Sequence, residues 1–463
     1  MDETTKENFL KALTKVIPPD RLYTEDEISD DYGHDEINTI FHLPEFAVKP
    51  MTTKEVATVM QCANENNISV VVRGAGTGLV GGAIPTTGGL LLDLSGMNEI
   101  KQLDTDNLTL TVEPGALLTD IKQYTETRGF FYPPDPGEKT ATIGGNISTN
   151  AGGMRAIKYG VTRDYVRGLT VVTALGNVMH LGGKFVKNSS GFDLKDMIIG
   201  SEGTLGVITE ITLKIIIKPE VTMSLLVPFP NFKDAIKAVP NILRSGITPT
   251  AVEFFEQNVI KYWESFSQKI FPEDGHQAYL LLSFDGQKEA QIEDDYEKIA
   301  ELCLEHGAED VYVLDDVKQQ EEIWSARGAF LEAIKDSTTE MDEVDIVVPR
   351  SEIVSFVQYV HQIATTENIR IPGFGHAGDG NLHFYVCRDD YDQKTWQEKL
   401  TKVFDALYQE SKTLGGQVSG EHGIGIAKKV YLRKSLDEVT YTAMKKIKQV
   451  FDPNNILNPD KIL

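Results

Sequence analysis

Glycine placement constrains this chain more than any other feature of its sequence. Of 39 glycines, eight fall in residues 73–96, fourteen in 137–206 and nine in 373–425. Glycine is used where backbone must turn sharply or approach a ligand closely. Such density excludes a helical bundle over these stretches. No glycine period exists, which excludes a collagen-like or low-complexity chain.

The 463 residues carry a net charge of −24. At roughly 100–200 residues per domain, the length suggests two to four domains. The acidic balance disfavours nucleic acid and anionic membranes as partners, because phosphate binding is driven by Lys and Arg. The charge is concentrated: residues 285–345 hold 20 acidic and 5 basic side chains. That stretch is either a solvated face or a docking face for a basic partner. Cys62, Cys303 and Cys387 are scattered with no C-x-x-C, so no iron–sulfur cluster or cysteine zinc site is expected. The polar N-terminus does not read as a signal peptide, and no run of about 18 apolar residues is present. These features predict a soluble, cytoplasmic protein with no membrane span.

Hydrophobic periodicity places short helices in 1–45 and a helix at Thr52–Asn66 with Val56, Val59 and Met60 on one side. A buried strand, Ile68–Val72, runs into the first glycine cluster. Residues 133–160 read as irregular throughout. Leu169–Leu181 reads as a hairpin turning at Gly176-Asn177. From about Lys218-Pro219 the texture changes to alternating strands and helices, predicting an antiparallel sheet with helices on one face. Phe451 to Pro459 forms a turn-rich tail ending in an apolar anchor.

Gly76-Thr77-Gly78-Leu79-Val80-Gly81 matches G-x-G-x-x-G and follows a strand. The dinucleotide fingerprint also needs a helix to open there. The continuation Gly82-Ala83-Ile84-Pro85 predicts none. What remains is a loop able to point several N–H groups at one anion, or a glycine-rich corner. The stretch Asp135–Gly153 has no periodicity, which suits a binding segment. Gly200–Thr209 is a third piece.

The last cluster carries side chains with chemistry. His376 and His383 flank Gly378-Asp379-Gly380, and Ser419-Gly420-Glu421-His422-Gly423 follows. An odd separation puts two residues of one strand on opposite faces, but a turn through the glycines folds both imidazoles together. Two histidines and a glutamate form a three-ligand set for a divalent metal, zinc, iron or manganese. Structural loop histidines are the other reading. His361, on a predicted helix, reads as surface.

V-V-R-G-A-G-T-G, then T-I-G-G-N-x-S-T-N-A-G-G, then G-S-E-G-T-L-G-V-I-T resemble, in order and spacing, the FAD-binding domain of the vanillyl-alcohol-oxidase superfamily. The resemblance implies FAD with its pyrophosphate on 74–78, flavin near 142–152 and adenine near 206–208. Its contact set would be Arg73, Gly74, Ala75, Gly76, Thr77, Gly78, Gly81, Pro136, Thr142, Gly144, Gly145, Ser148, Asn150, Gly152, Gly206, Val207, Ile208 and Asn458. The first loop holds no histidine, so the flavin is expected to be non-covalent.

G-H-x-G-D-G-N-L-H, S-G-E-H-G-I-G and the closing F-D-P-N-x-I-L-N-P-x-K-I resemble FAD-linked D-2-hydroxy-acid dehydrogenases. This implies His376, His383 and Glu421 as metal ligands and His422 as general base. Arg327, in Trp324-Ser325-Ala326-Arg327, is implied as the substrate-carboxylate clamp, with Tyr385 and His422 also at the substrate. Glu343 stands where the 2-hydroxyglutarate enzymes carry a lysine, and Tyr385 where they carry an asparagine. Both departures favour a monocarboxylate, D-lactate first, with hydride transfer to flavin N5. The implied electron acceptor is a protein, electron-transfer flavoprotein or an iron–sulfur subunit. The alternatives are a glycolate oxidase flavoprotein subunit and a flavin oxidase using oxygen.

The expected fold is α+β: a two-subdomain vanillyl-alcohol-oxidase-type FAD-binding domain plus a cap domain whose antiparallel sheet is covered by helices. Expected boundaries are an N-terminal helical segment (1–45), the FAD-binding domain (46–219), a substrate and metal domain (220–440) and a tail packing back on the FAD domain (441–463).

Overall fold

The computed structural model describes residues 3–37, 39–273 and 275–463. The chain divides into two compact units. One comprises 1–152, 161–218 and 421–463, and the other 153–160 and 219–420. Residues 421–440, expected with the substrate domain, therefore group with the first unit.

The first unit holds two sheets. Strands Phe46–Val48, Leu90–Asp93 and Val70–Arg73 pair in parallel, with Leu22–Thr24 antiparallel at the edge. Ile100–Asp104, Thr109–Val112, Val207–Lys214, Val166–Val172 and Val178–Gly182 form an antiparallel sheet of five. Its last hairpin turns through Gly176 at φ 79°. Helix Thr53–Glu65, capped by the Thr52 hydroxyl, fully buries Val56, Val59, Met60 and Ala63. This face joins a core made with strand residues of both sheets, among them Val70, Leu92, Val172 and Val207.

Two local expectations need correction. Residues 1–45 contain, among the described residues, one α-helix, Glu3–Leu13, followed by single 3₁₀ turns and a short strand. The segment 133–160 is not irregular throughout: Ile143–Thr149 is a helix. Its two glycines and β-branched residues are poor helix formers, which hides it from propensity. Burial of Ile143 and Ile147, one turn apart, and left-handed Asn150 at its C-cap (φ 54°) hold it in place.

The tail joins the first unit's core. Val70 N donates to Ile456 O at 2.7 Å and Asn458 N to Val70 O at 2.8 Å, with Ile456 and Leu457 buried. Asn458 Oδ1 accepts from Val72 N at 2.9 Å and its Nδ2 donates to Glu202 O at 2.7 Å.

The second unit is built on a seven-stranded, wholly antiparallel sheet. Its order is Tyr312–Leu314, Val221–Phe229, Ala278–Gly286, Ala251–Glu256, Gly373–His376, Asn381–Cys387, Met341–Val347. Helices cover both faces, where the sequence pattern suggested one. Gln257–Ser267, Val317–Gly328 and Phe330–Asp336 bury Ile260, Ile323 and Phe330 against Phe255, Leu281 and Phe374. On the opposite face, Phe356 of helix Ile353–Thr366 meets Phe384 with ring centroids 6.0 Å apart. No helix among the described residues is long and apolar enough to cross a membrane.

Replacing Asn458 by alanine strands two main-chain groups, the half-buried Val72 N and the buried Glu202 O, each costing about 1–3 kcal/mol. Urea unfolding is expected to report a loss of about 2–5 kcal/mol. A loss below ~0.5 kcal/mol would show that both groups find other partners.

Candidate functional site

The two histidines sit on a hairpin. Strand Gly373–His376 turns through Ala377-Gly378-Asp379-Gly380 into Asn381–Cys387. Gly380 takes φ 96°, and a Cβ there would lie 2.1 Å from Val348 O, so this corner admits only glycine. Register pairs His376 with Asn381 and Phe374 with His383. Residues paired across strands share a face, as do residues two apart on one strand. Both imidazoles therefore lie on one face, their centroids 5.3 Å apart and their planes at 86°. Both are buried, at 5% and 3% exposure.

The same register rule brings carboxylates to this face. Glu253 pairs with His376, Asp345 with His383 and Glu343 with Tyr385. Glu253 Oε1 lies 2.7 Å from His376 Nδ1. Its Oε2 accepts from Arg327 Nε at 2.9 Å and Nη2 at 2.6 Å. Arg327 projects from helix Val317–Gly328, which Trp324 ties to the sheet through Nε1 to Ser224 Oγ at 3.0 Å. The guanidinium also stacks 4.3 Å over Phe374. It thus belongs to a buried ion pair, not a surface one. Burial alone would raise the Glu253 carboxyl; His376 and Arg327 outweigh that and hold it below the ordinary range.

His383 Nδ1 lies 3.6 Å from Glu343 Oε1 and 3.8 Å from Asp345 Oδ1. Burial pushes the Tyr385 phenol well up, and the neighbouring Glu343 carboxylate adds to this. Asp345, fully buried, accepts from Asn381 Nδ2 at 2.7 Å and Ser419 Oγ at 2.6 Å, fixing the chain just before Glu421. Glu253 and Asp345 were missed by sequence reasoning. A lone carboxylate inside the apolar run Ala251–Phe255 was the available signal, since such a strand is buried on both faces.

Glu421 and His422 belong to the first unit, with His422 Nε2 3.6 Å from Glu421 Oε1. Buried Glu202, also missed, accepts from Ile424 N and Gly425 N, both at 2.7 Å. It fixes the turn that follows His422. A Cβ on Gly152 would meet Glu421 Oε2 at 2.7 Å, so glycine there makes room for that carboxylate.

The residues expected to bind FAD all lie in the first unit. Arg73 ends a strand, and no helix opens between it and Leu90. Arg73 lies under the loop, its guanidinium where a Cβ on Gly76 would sit. Gly78 and Gly82 are different: a Cβ on either would meet nothing nearer than 3.7 Å. Thr142 caps the helix carrying Gly144, Gly145 and Ser148. Gly206 precedes strand Val207–Lys214, which contains Ile208; its Cβ would strike Val171 at 2.4 Å. Asn458 bonds to the backbones of Val72 and Glu202. Pro136 lies in the loop before Thr142. Open glycine backbone above a buried cation suits a diphosphate. For a metal, the donor chemistry fits: two buried imidazoles lie side by side, and His376 turns Nδ1 to a carboxylate, which would leave Nε2 for coordination.

Asp35 is buried beside this loop and its carboxyl is pushed by burial to about 6. Its folded-state pKa exceeds its unfolded one. The folded state therefore binds more protons between about pH 4 and 6, and stability falls as pH rises through that window. Asp35→Asn removes this loss. Between about pH 4 and 7 it should gain ~2–3 kcal/mol over the parent in urea unfolding. A difference independent of pH would refute the assignment.

The family model described as "FAD binding domain" matches residues 44–182, and "FAD linked oxidases, C-terminal domain" matches 218–462. A D-lactate dehydrogenase of Anaerostipes hadrus is 45% identical, covering 97% of this chain and 96% of its own. Glycolate oxidase subunit GlcD of Bacillus subtilis is 39% identical, covering 93% and 91%. Among solved structures, p-cresol methylhydroxylase superposes with a TM-score of 0.83 at 17% identity, covering 100% of this chain and 97% of that one. The last likeness confirms the vanillyl-alcohol-oxidase-type fold. With family and relatives matched over nearly its whole length, the chain belongs to the FAD-linked oxidases and is an FAD-dependent oxidoreductase.

Proposed function

We propose that the protein oxidises a small D-2-hydroxy acid, D-lactate before others, to the 2-oxo acid. The observation that carries this reading is the convergence of Arg327, His376, His383 and Tyr385 on one buried sheet face. The relative named D-lactate dehydrogenase, at 45% identity, supports it. FAD, bound non-covalently by the first unit, supplies a hydride acceptor, and a divalent metal on His376, His383 and Glu421 supplies a Lewis acid for the hydroxyl.

The chain's own residues do the rest. Arg327 binds the substrate carboxylate through its planar fork of donors. Tyr385 keeps its phenol proton, raised by burial and by the Glu343 carboxylate it donates to, and leaves its oxygen beside the substrate. The Glu343 carboxylate beside it repels a second substrate carboxylate, which selects monocarboxylates. His422 takes the hydroxyl proton; an imidazole with a reference pKa of about 6.5 suits that role near neutral pH. Electrons then leave to a protein partner such as electron-transfer flavoprotein or an iron–sulfur subunit. Exposed acids of helix Glu289–Glu305, including Glu293, Glu297 and Glu301, offer a basic partner a docking face.

Anaerobic bleaching of the bound flavin by a panel of D- and L-2-hydroxy acids tests the reading. D-lactate should bleach fastest and D-2-hydroxyglutarate poorly. Faster bleaching by glycolate would favour the activity named for the Bacillus relative. His422→Ala should lose bleaching by about 10²-fold or more while retaining FAD. Unchanged kinetics in that variant would remove His422 from the mechanism. The metal should dissociate as pH falls below about 6, where imidazoles protonate. Metal content measured after dialysis across that range checks this.

A further inference from the structure

We propose that Glu253 is the positioning residue of this site, holding one metal ligand and the substrate clamp with the two oxygens of a single carboxylate. The inference rests on the reading above and concerns how its parts are held. Oε1 lies 2.7 Å from His376 Nδ1. A carboxylate can only accept, so Nδ1 carries a proton, and in the neutral imidazole Nε2 presents its lone pair, the form a metal requires. Oε2 takes Nε and Nη2 of Arg327 at 2.9 Å and 2.6 Å. One edge of the guanidinium is thereby fixed, and the Phe374 ring 4.3 Å away fixes its plane. The donors of the other edge keep one direction for an incoming carboxylate.

Both contacts originate from an inner strand. Glu253 is 0% exposed and stands in register with His376. An apolar residue at this position would leave a buried guanidinium and an imidazole N–H without their acceptor. Glutamine would serve only one of them, because its amide has a single acceptor oxygen and its NH₂ would face another donor. The two tasks therefore require a carboxylate. They also couple metal binding to substrate binding: disturbing Glu253 should loosen both.

The test uses Glu253→Ala, which removes both acceptors, in the FAD-loaded full-length protein. Zinc affinity is read by competition with a chromogenic chelator, and kcat and KM with D-lactate. Zinc should bind about 10–100-fold more weakly, and KM should rise several-fold more than kcat falls, with FAD content unchanged. Wild-type zinc affinity with wild-type KM overturns the proposal. A loss confined to one readout overturns the shared role. His383→Ala separates this inference from the reading beneath it. If that variant keeps wild-type zinc affinity, the metal assignment fails whatever Glu253 does. Should Glu253→Ala fail to fold, ¹⁵N-histidine NMR of the wild-type protein, metal-free and at roughly pH 9, decides. His376 protonated on Nδ1 supports the proposal, and the Nε2–H tautomer overturns it.

Discussion

A carboxylate with no contact to solvent organises the polar face of the second unit. Taking a charge out of water costs several kcal/mol unless partners replace its hydration. Glu253 meets that demand with an imidazole and a guanidinium, each satisfied in turn by the same group. The surroundings sharpen the effect. Phe255, Leu281 and Phe374 belong to the apolar cluster on this face, and a low local dielectric strengthens each of these contacts. Asp345 does comparable work from the strand Met341–Val347 at the sheet's edge, where it accepts from the Asn381 amide, the Ser419 hydroxyl and Gly420 N. The sheet thus carries His376 and His383 on inner strands beside buried acids, and not on a mobile loop.

The first unit uses the same device with backbone as the partner. Glu202 accepts two N–H groups from the turn after His422, while its own carbonyl receives Asn458 of the tail. Burial raises its carboxyl, and the two amides oppose that rise. Gly423 and Gly425 adopt φ 89° and 48°, and a Cβ on Gly425 would lie 2.1 Å from Val80 O. The glycines there serve close packing of one loop on another. Those at Gly78 and Gly82 differ, since their open side faces no protein atom closely. The glycine count that dominates the sequence thus covers two physical situations: tight corners inside the protein, and backbone such as Gly78 and Gly82 with open space beside it.

Much of the fold was legible because it is locally encoded. Val56, Val59, Met60 and Ala63 recur at helical spacing, and Thr52 is a capping residue. Strand, glycine loop and absent helix at 70–89 followed from residue order alone. The helix Ile143–Thr149 was not legible, because its formation depends on burial of Ile143 and Ile147 against propensity. Acidic residues 285–345 also divided in a way composition does not show. Those of helix Glu289–Glu305 face solvent, whereas Asp285, Glu343 and Asp345 turn inward, Asp285 to Lys158.

The sequence by itself determined the motifs of the FAD-binding domain, the histidine hairpin and the segment that carries Arg327, because each depends on residues close together in the chain. Only the tertiary structure decided what holds them. Glu253 stands 123 positions from His376 and 74 from Arg327, and Glu202 stands 222 from Ile424. These pairings follow from strand order and register, which are set by burying the sheet's two faces. No local pattern around a single glutamate specifies its partner across a sheet. Its charge inside an apolar run signals only that a partner must exist.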